Sequence, residues 1–386
     1  TLPNSELYMQ MLVLGAGQLA RMMALVAAPL DIHIRAYDVN SKQVLHPVTG
    51  ERYEQTLTQA IAASDRITAE FEHVPADVLA LCEQSGKFFP GRKAIECGGD
   101  RAKEKALLDG AGVPSAPYVL VTERRHLEQA ISDLGLPLVI KTCQAGYDGK
   151  GQWRLKDAEQ ADGIWQEMQA FLDKDPTHSI ICEKMIPFDR EVSVIGARDA
   201  KGNVKVYPVT ENEHTNGVLT LSVAGIVSQA IQAQAIDAYH KLAEALDYVG
   251  VLAIEFFDVG GELLVNEIAP RVHNSGHWTQ QGAYCCQFEN HVRAVAGLPL
   301  GSTDLLRPSA MINVLGHDAI PHQVLATAGA RSHWYGKKVK PGRKMGHINV
   351  SASTLAELGK RLNELSEHLS EQDYPGVEAR AKQLMK

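Results

Sequence analysis

Two glutamates, Glu255 and Glu267, and the loop that follows them hold the densest chemistry in the chain. Apolar runs at 251–257 and 263–268 flank DVGGE at 258–262, the pattern of two strands joined by a glycine turn. With the turn centred near Gly261, side-chain alternation sets Glu255 and Glu267 opposite each other on one face. Like charges so placed repel unless a proton or a cation comes between them. A hard divalent ion with oxygen ligands fits, and Mg²⁺ typically combines one or two carboxylates with water and substrate phosphates. Asn266 also carries an oxygen, but strict alternation aims it at the other face; either it has another role or the strand bulges there. The plain alternative is a solvated hairpin with both glutamates facing water.

The segment APRVHNSGHWT at 269–279 adds Arg271, His273, Asn274 and His277 in one loop, a set suited to an anion. A second cationic stretch, HWYGKKVKPGRKMGH at 333–347, carries Lys337 and Arg343 in a chain whose net charge is −8. Such a run is either a solvated face or, with its glycines and aromatic pair, a shaped anion site.

These groups need a scaffold, and 386 residues imply two or three domains. Residues 9–100 read as an α/β nucleotide-style unit. A strand at 11–14 runs through GAGQLA (15–20) into a helix at 20–28, freeing amides for a phosphate. A second strand ends in Asp38, where a dinucleotide fold would put its ribose carboxylate, and TAEFEHVP (68–75) ends a third with Glu70 facing the ligand crevice. Alternatively, Glu70 or Glu72 caps the helix that starts near Pro75. Next, DRAKEK (100–105) begins a helix with Arg101 and Lys105 on one face, ordinarily a solvated one.

Residues 115–187 suggest a small α+β unit. A strand at 138–140 reaches Lys141, and the glycine loop QAGYDGKG (144–151), with Lys150, joins it to a strand at 152–155. The loop lacks the GK[ST] of a P-loop and could close over phosphates as a lid. An apolar strand at 179–186 carries Glu183, Glu191 and His214 follow, and a helix is expected over 237–246. Helix 287–296, a strand at 310–315 and a helix at 355–369 complete the reading, the last two in a smaller region after 307.

Composition narrows the classes. A pI near 6.0 argues against bulk nucleic-acid binding. The absence of a bilayer-length apolar run or an evident signal peptide points to a cytoplasmic protein with no membrane partner. Six cysteines without a CxxC spacing are expected to be reduced and buried.

Assembled, the motifs GAGQLARM (15–22), TAEFEHVP, DRAKEK, AGYDGKG, NEIAPRVHNSGHWT (266–279) and PGRKMGHINV (341–350) resemble the ATP-grasp superfamily. Within it, from about residue 9 to 371, the chain is similar to the N5-carboxyaminoimidazole ribonucleotide synthetases of purine biosynthesis. The resemblance implies an α/β and α+β multidomain fold in three parts: a Rossmann-like pre-ATP-grasp domain (1–100), an ATP-grasp domain (101–306, lid subdomain about 115–187) and a small C-terminal β-rich domain (307–386). It implies that ATP meets Arg101 and Lys141, the lid loop Ala145, Gly146, Tyr147, Asp148, Gly149, Lys150 and Gly151, and the backbone of Glu183, Lys184, Met185 and Ile186 at adenine. Glu191 would take the ribose and His214 would lie beside the nucleotide, while Glu255, Glu267 and Asn266 would hold one or two Mg²⁺ ions. The resemblance further puts 5-aminoimidazole ribonucleotide on Gln18, Leu19, Glu70, Asp148, Lys337 and Arg343. Bicarbonate or carboxyphosphate would lie near Tyr147, Arg271, His273 and Asn274, with Lys337 joining the catalytic set, in a homodimer. Three other readings stand beside it: a formate-dependent glycinamide ribonucleotide transformylase on the same scaffold, a nicotinamide-dependent dehydrogenase resting on GAGQLA and Asp38, and a non-catalytic nucleotide sensor.

Overall fold

The computed structural model describes residues 8–144 and 151–386. At its N-terminal end, strand Met9–Leu14 lies between parallel strands Ile32–Asp38 and Arg66–Ala69. Two short antiparallel strands, Gln43–Leu45 and Arg52–Tyr53, extend one edge. Met11 to Leu14 are wholly buried, as expected of a central strand covered on both faces. The chain then turns at Gly15, whose φ of +110° suits only glycine, into helix Gln18–Ala27. Asp38 accepts hydrogen bonds from the amides of Asn40 and Ser41, so it closes its own turn, and the ribose-carboxylate reading loses its residue.

A four-stranded antiparallel sheet follows, in the order Tyr118–Val121, Ile180–Lys184, Leu138–Thr142, Gln152–Leu155. Helices Arg124–Leu134 and Ala161–Leu172 close it through a core that includes Leu127, Ile140, Met168 and Ile180. The lid-loop residues Ala145, Gly146, Tyr147, Asp148, Gly149 and Lys150 lie outside the described residues. Gly151 is at φ +65°, and its carbonyl accepts from the Thr142 amide.

The third sheet has nine strands. Along its main path run Glu262–Ala269, Gly250–Val259, Arg190–Arg198, Thr210–Thr215, Val218–Ala224, Ser309–Leu315, Lys344–Ser351 and Ala330–Trp334, with Val204–Val206 beside Arg190–Arg198. The strands after 307 thus continue the sheet that carries the acidic hairpin. Helices Leu355–Ser366 and Val377–Leu384 cover the far end. Helix Gln229–Ala245 packs behind the hairpin and starts eight residues before the expected 237, because its first turns (QAIQAQAI) are too polar and alanine-rich to show a clear period.

Strand Glu262–Ala269 is an edge, and its outward amides are covered. Val265 N–H donates to the Pro114 carbonyl at 2.9 Å and Ile268 N–H to Glu104 Oε2 at 3.2 Å. Glu104 belongs to helix Arg101–Ala111, which Asp100 caps by accepting from the Ala102 and Lys103 amides. His291, on helix Gln287–Ala296, ties the first sheet to the third. Its Nδ1 accepts from the Val251 amide at 2.9 Å, so the ring proton is on Nε2 and faces Thr68 Oγ1 at 2.8 Å. Burial pushes this imidazole down to about 4, and it is neutral at physiological pH. Among the described residues, no helix is long and apolar enough to cross a membrane. The cysteines are free thiols, five of the six buried.

Candidate functional site

The hairpin register places Glu255 directly opposite Glu267, then shifts so that Phe256 pairs with Val265. Asn266 is the extra residue at that step, which is the bulge the sequence left open, and it frees this amide from strict alternation. Glu255 is the more enclosed of the pair, its side chain 14% exposed against 41% for Glu267. Burial and the neighbouring Glu267 charge push the Glu255 carboxyl well above the usual carboxylate range. Glu267 is held low, because a hydrogen bond from Glu255 and the cations Arg101 and Lys141 overcome its own burial. Without a cation the two therefore share a proton, and a divalent ion between them would release it. Among the described residues no three His, Cys, Asp or Glu side chains form a complete metal cage. Two facing carboxylates and a bulged amide therefore fit Mg²⁺, whose remaining positions come from water and phosphate, better than a closed all-protein site.

His273 Nε2 lies 3.4 Å from Glu255 Oε1. The Ser275 amide and hydroxyl close on His273 Nδ1 at 3.2 and 2.8 Å, which leaves the ring proton on Nε2, facing Glu255. Burial, with Arg271 adding, pushes this imidazole down to about 3. Beneath it runs a buried chain of hydroxyls and one amide: Ser193 donates to Ser275, Asn212 to Ser193, and Ser222 to Asn212. On the other side, Glu191 Oε2 meets His214 Nδ1 at 2.8 Å, and His214 Nε2 stands 3.9 Å from Glu255.

Cations approach the pair from two elements. Arg101 lies 3.6 Å from Glu267. Lys141 and Lys105 both contact Glu183, at 3.2 and 3.1 Å. Burial opposes the Glu183 charge, yet the two lysines outweigh it and hold its pKa below the ordinary value. The solvated helix face expected of Arg101 and Lys105 is thus overturned for Lys105. It is 2% exposed and also donates to Ser115 and to the Ala116 carbonyl. Along the expected adenine edge, the Lys184 and Met185 amides already donate to the carbonyls of Pro117 and Pro137. Of the 183–186 backbone amides, that leaves Ile186 N–H as the donor open to a ligand among the described residues.

A second cluster forms where the first sheet meets the end of the third. Glu70 Oε1 and Oε2 accept from the Gly17 and Ala20 amides at 2.6 and 2.9 Å, filling the mouth of helix Gln18–Ala27 with a carboxylate. Gln18 reaches Lys337 Nζ at 3.1 Å, and Lys337 lies in the field of Arg343 and Glu70. Burial, then Arg343 and Lys344, lower the Lys337 ammonium to about 8. Neither Glu70 nor Glu72 caps the helix after Pro75, which has no side-chain cap. Glu72 instead accepts from Arg271 Nε at 2.6 Å, and Arg271 Nη1 donates to the Val272 carbonyl. Arg271, four residues past Glu267, thus ties the loop after the hairpin to Glu72, two residues past Glu70, and Glu70, Glu255 and Glu267 all lie in its field. A stack of neutral imidazoles seats the basic loop against the 269–279 loop, with His277–His347 and His347–His333 ring centroids both 4.5 Å apart.

Three family models match the chain in succession: the ribonucleotide synthetase preATP-grasp domain over residues 8–98, the ATP-grasp domain over 106–288, and the phosphoribosylaminoimidazole carboxylase C-terminal domain over 309–361. The N5-carboxyaminoimidazole ribonucleotide synthase of Vibrio vulnificus is 58% identical over 374 residues, covering 97% of this chain and 99% of its own. The chain belongs to the N5-carboxyaminoimidazole ribonucleotide synthase family.

The solved N5-carboxyaminoimidazole ribonucleotide synthetase of Thermus thermophilus superposes with a TM-score of 0.84 at 40% identity, covering 94% of this chain and 99% of that one. The Aspergillus clavatus synthase, solved with ADP and 5-aminoimidazole ribonucleotide, gives 0.78 at 28% identity, covering 98% and 100%. As a member of this synthase family the chain is an ATP-grasp ligase. Sequence reasoning brought most of the cluster together but missed Glu72, Glu104 and Lys105 as parts of it. Glu104 is 3% exposed, and burial, with Glu267 adding, pushes it up to about 8, so it is a neutral acid at pH 7. The only signal for these residues was their place in charged helical or turn segments, and their partners are remote in sequence.

Proposed function

We propose that this synthase phosphorylates bicarbonate with ATP at the Glu255–Glu267 hairpin and passes the carboxyl to 5-aminoimidazole ribonucleotide held beside Gln18 and Lys337. Bicarbonate oxygen attacks the γ-phosphorus, releasing ADP and forming carboxyphosphate. The exocyclic amine then takes the carboxyl carbon, directly or as CO₂, and phosphate leaves. The observation that carries this reading is the Arg271–Glu72 ion pair at 2.6 Å, which ties the loop after the acidic hairpin to the segment that carries Glu70.

Each group has a physical task. Arg101 and Lys141 lie where they can neutralise a triphosphate, and Glu183 keeps Lys141 extended. Bound Mg²⁺, held by Glu255, Glu267 and Asn266, would supply charge stabilisation for the transferring phosphoryl group. Arg271, its Nε locked by Glu72, steadies the acyl phosphate, with Asn274 alongside. Asn274 Oδ1 is buried without a hydrogen-bond partner among the described residues, a group that a bicarbonate hydroxyl would satisfy. Neutral His273 offers an Nε2 proton as a hydrogen-bond donor. The amides of Gln18 and Leu19, at the positive end of their helix, and the Lys337 and Arg343 cations suit the ribonucleotide phosphate. The lid residues Tyr147 and Asp148 join the same reading, as do the homodimer and the cytoplasmic setting.

ATP hydrolysis should follow addition of aminoimidazole ribonucleotide with bicarbonate, and not glycinamide ribonucleotide with formate; the reverse pattern would replace this reading with the transformylase. Arg343→Ala should raise the KM for the ribonucleotide roughly tenfold, as expected for loss of a charge-assisted contact, and leave that for ATP within twofold. Equal changes in both would remove Arg343 from the phosphate site. Lys337 gives a pH signature. Its charge is present below about 8 and lost above, so the ribonucleotide KM should be flat to that point and then climb by up to about tenfold per unit. Lys337→Arg, which stays charged, should flatten the climb.

A further inference from the structure

We propose that the C-terminal helix Val377–Leu384 belongs to the nucleotide half of the site, with Arg380 as a positioning residue that neutralises Glu211 and Glu213 and steadies the strand presenting His214. The proposal rests on the assignment of Glu191 and His214 to the nucleotide. It concerns a segment that the family models, which end at residue 361, do not reach.

A cavity of about 450 Å³ is lined by Phe188, Glu191 and His214 together with Glu211, Glu213 and Arg380. Four carboxylates face it, from Asp189, Glu191, Glu211 and Glu213, against two guanidiniums, Arg190 and Arg380. Arg190 is committed to Asp258 at 2.6 Å, which leaves Arg380 as the guanidinium answering the glutamates of strand Thr210–Thr215. It does so as a fork: Nη1 lies 3.2 Å from Glu211 Oε2, and Nη2 and Nε lie 2.8 and 3.2 Å from Glu213 Oε1. Arg380 is only 11% exposed, so these contacts are little screened by solvent. Without it, two partly buried negative charges would face the cavity a polyanionic nucleotide must enter.

The same contact sets geometry. Strand Thr210–Thr215 shifts register against Val218–Ala224 between Glu213 and His214, next to the residue that meets Glu191. Glu213 is gripped at this step from both sides of the helix start. Arg380 holds Oε1, and Gly376, at φ +84°, sits so close that a Cβ there would fall 2.2 Å from Oε2. At that φ a larger residue would be strained, and its Cβ would push the Glu213 carboxylate aside.

The experiment is steady-state kinetics with both substrates varied, calorimetric titration with ADP, and melting curves on the full-length protein. Arg380→Ala should raise the KM for ATP and the Kd for ADP about tenfold, leave the ribonucleotide KM within twofold, and be partly rescued by Arg380→Lys. In a Glu211→Gln, Glu213→Gln background, Arg380→Ala should cost less than threefold, since the charges it answers are gone; this arm also serves if the single variant folds poorly. Equal changes in both KM values, or an undiminished ATP defect in the glutamine background, would overturn the proposal. Glu191→Ala is the control. If it too leaves ATP binding unchanged, the nucleotide assignment of Glu191 and His214 has failed; if it weakens ATP while Arg380→Ala does not, only the present inference has.

Discussion

Glu267→Gln should lower kcat by roughly 10³-fold or more, because it removes one of the two facing carboxylates expected to hold the ion that stabilises phosphoryl transfer. The fold should survive. The substitution turns a proton-sharing acid pair into an acid–amide pair that can keep one hydrogen bond across the hairpin, and gives up the Arg101 contact at 3.6 Å, a loss of up to about 1 kcal/mol. Melting temperature should therefore move little while turnover collapses. A direct measure accompanies the kinetics: Mn²⁺ binding in the presence of ADP, followed by electron paramagnetic resonance, should weaken at least tenfold. Activity within tenfold of the parent, or undiminished Mn²⁺ binding, would take the ion away from this hairpin.

Arg271→Ala should be the most damaging change outside the hairpin, and its two effects should separate. Truncation leaves Glu72, 11% exposed, without its 2.6 Å partner, and breaking such an enclosed pair costs about 3–5 kcal/mol. It also removes the cation that ties the two proposed substrate clusters together, which should cut kcat/KM by roughly 10²–10³-fold. Adding Glu72→Gln should restore most of the stability, since the orphaned charge is gone, and none of the activity. Arg271→Lys keeps charge but cannot bond Glu72 and the Val272 carbonyl from one rigid plane, so it should behave closer to alanine than charge alone suggests. Recovery of activity in the double variant would reduce Arg271 to a structural role.

The parts of this site that could be read from the chain are those where local geometry leaves one answer. Period-two alternation about a glycine turn gave the register of Glu255 against Glu267, and the misfit of Asn266 marked the bulge. The glycines at 15 and 17 announced a turn into a helix, though nothing local said that Glu70 would fill its mouth. Lys105 looked solvated because helical spacing reports which residues share a face and not what covers that face; its partner Glu183 comes from another sheet. Glu72 and Arg271 are likewise far apart in sequence and meet only when the first sheet docks on the loop after the hairpin. Arg380 lies past the last motif, in a short helix whose charge pattern resembles any exposed C-terminus.

One hydrogen-bonded sheet runs from the acidic hairpin to strand Lys344–Ser351, beside the basic loop. On the proposed assignment, the distance between the place of phosphoryl transfer and the place where the amine waits is therefore carried by backbone and does not drift with side-chain rearrangement. A different acceptor could be accommodated only by changing what decorates the far strands, within a span the ladder dictates, and a bulkier one would need strands of another length.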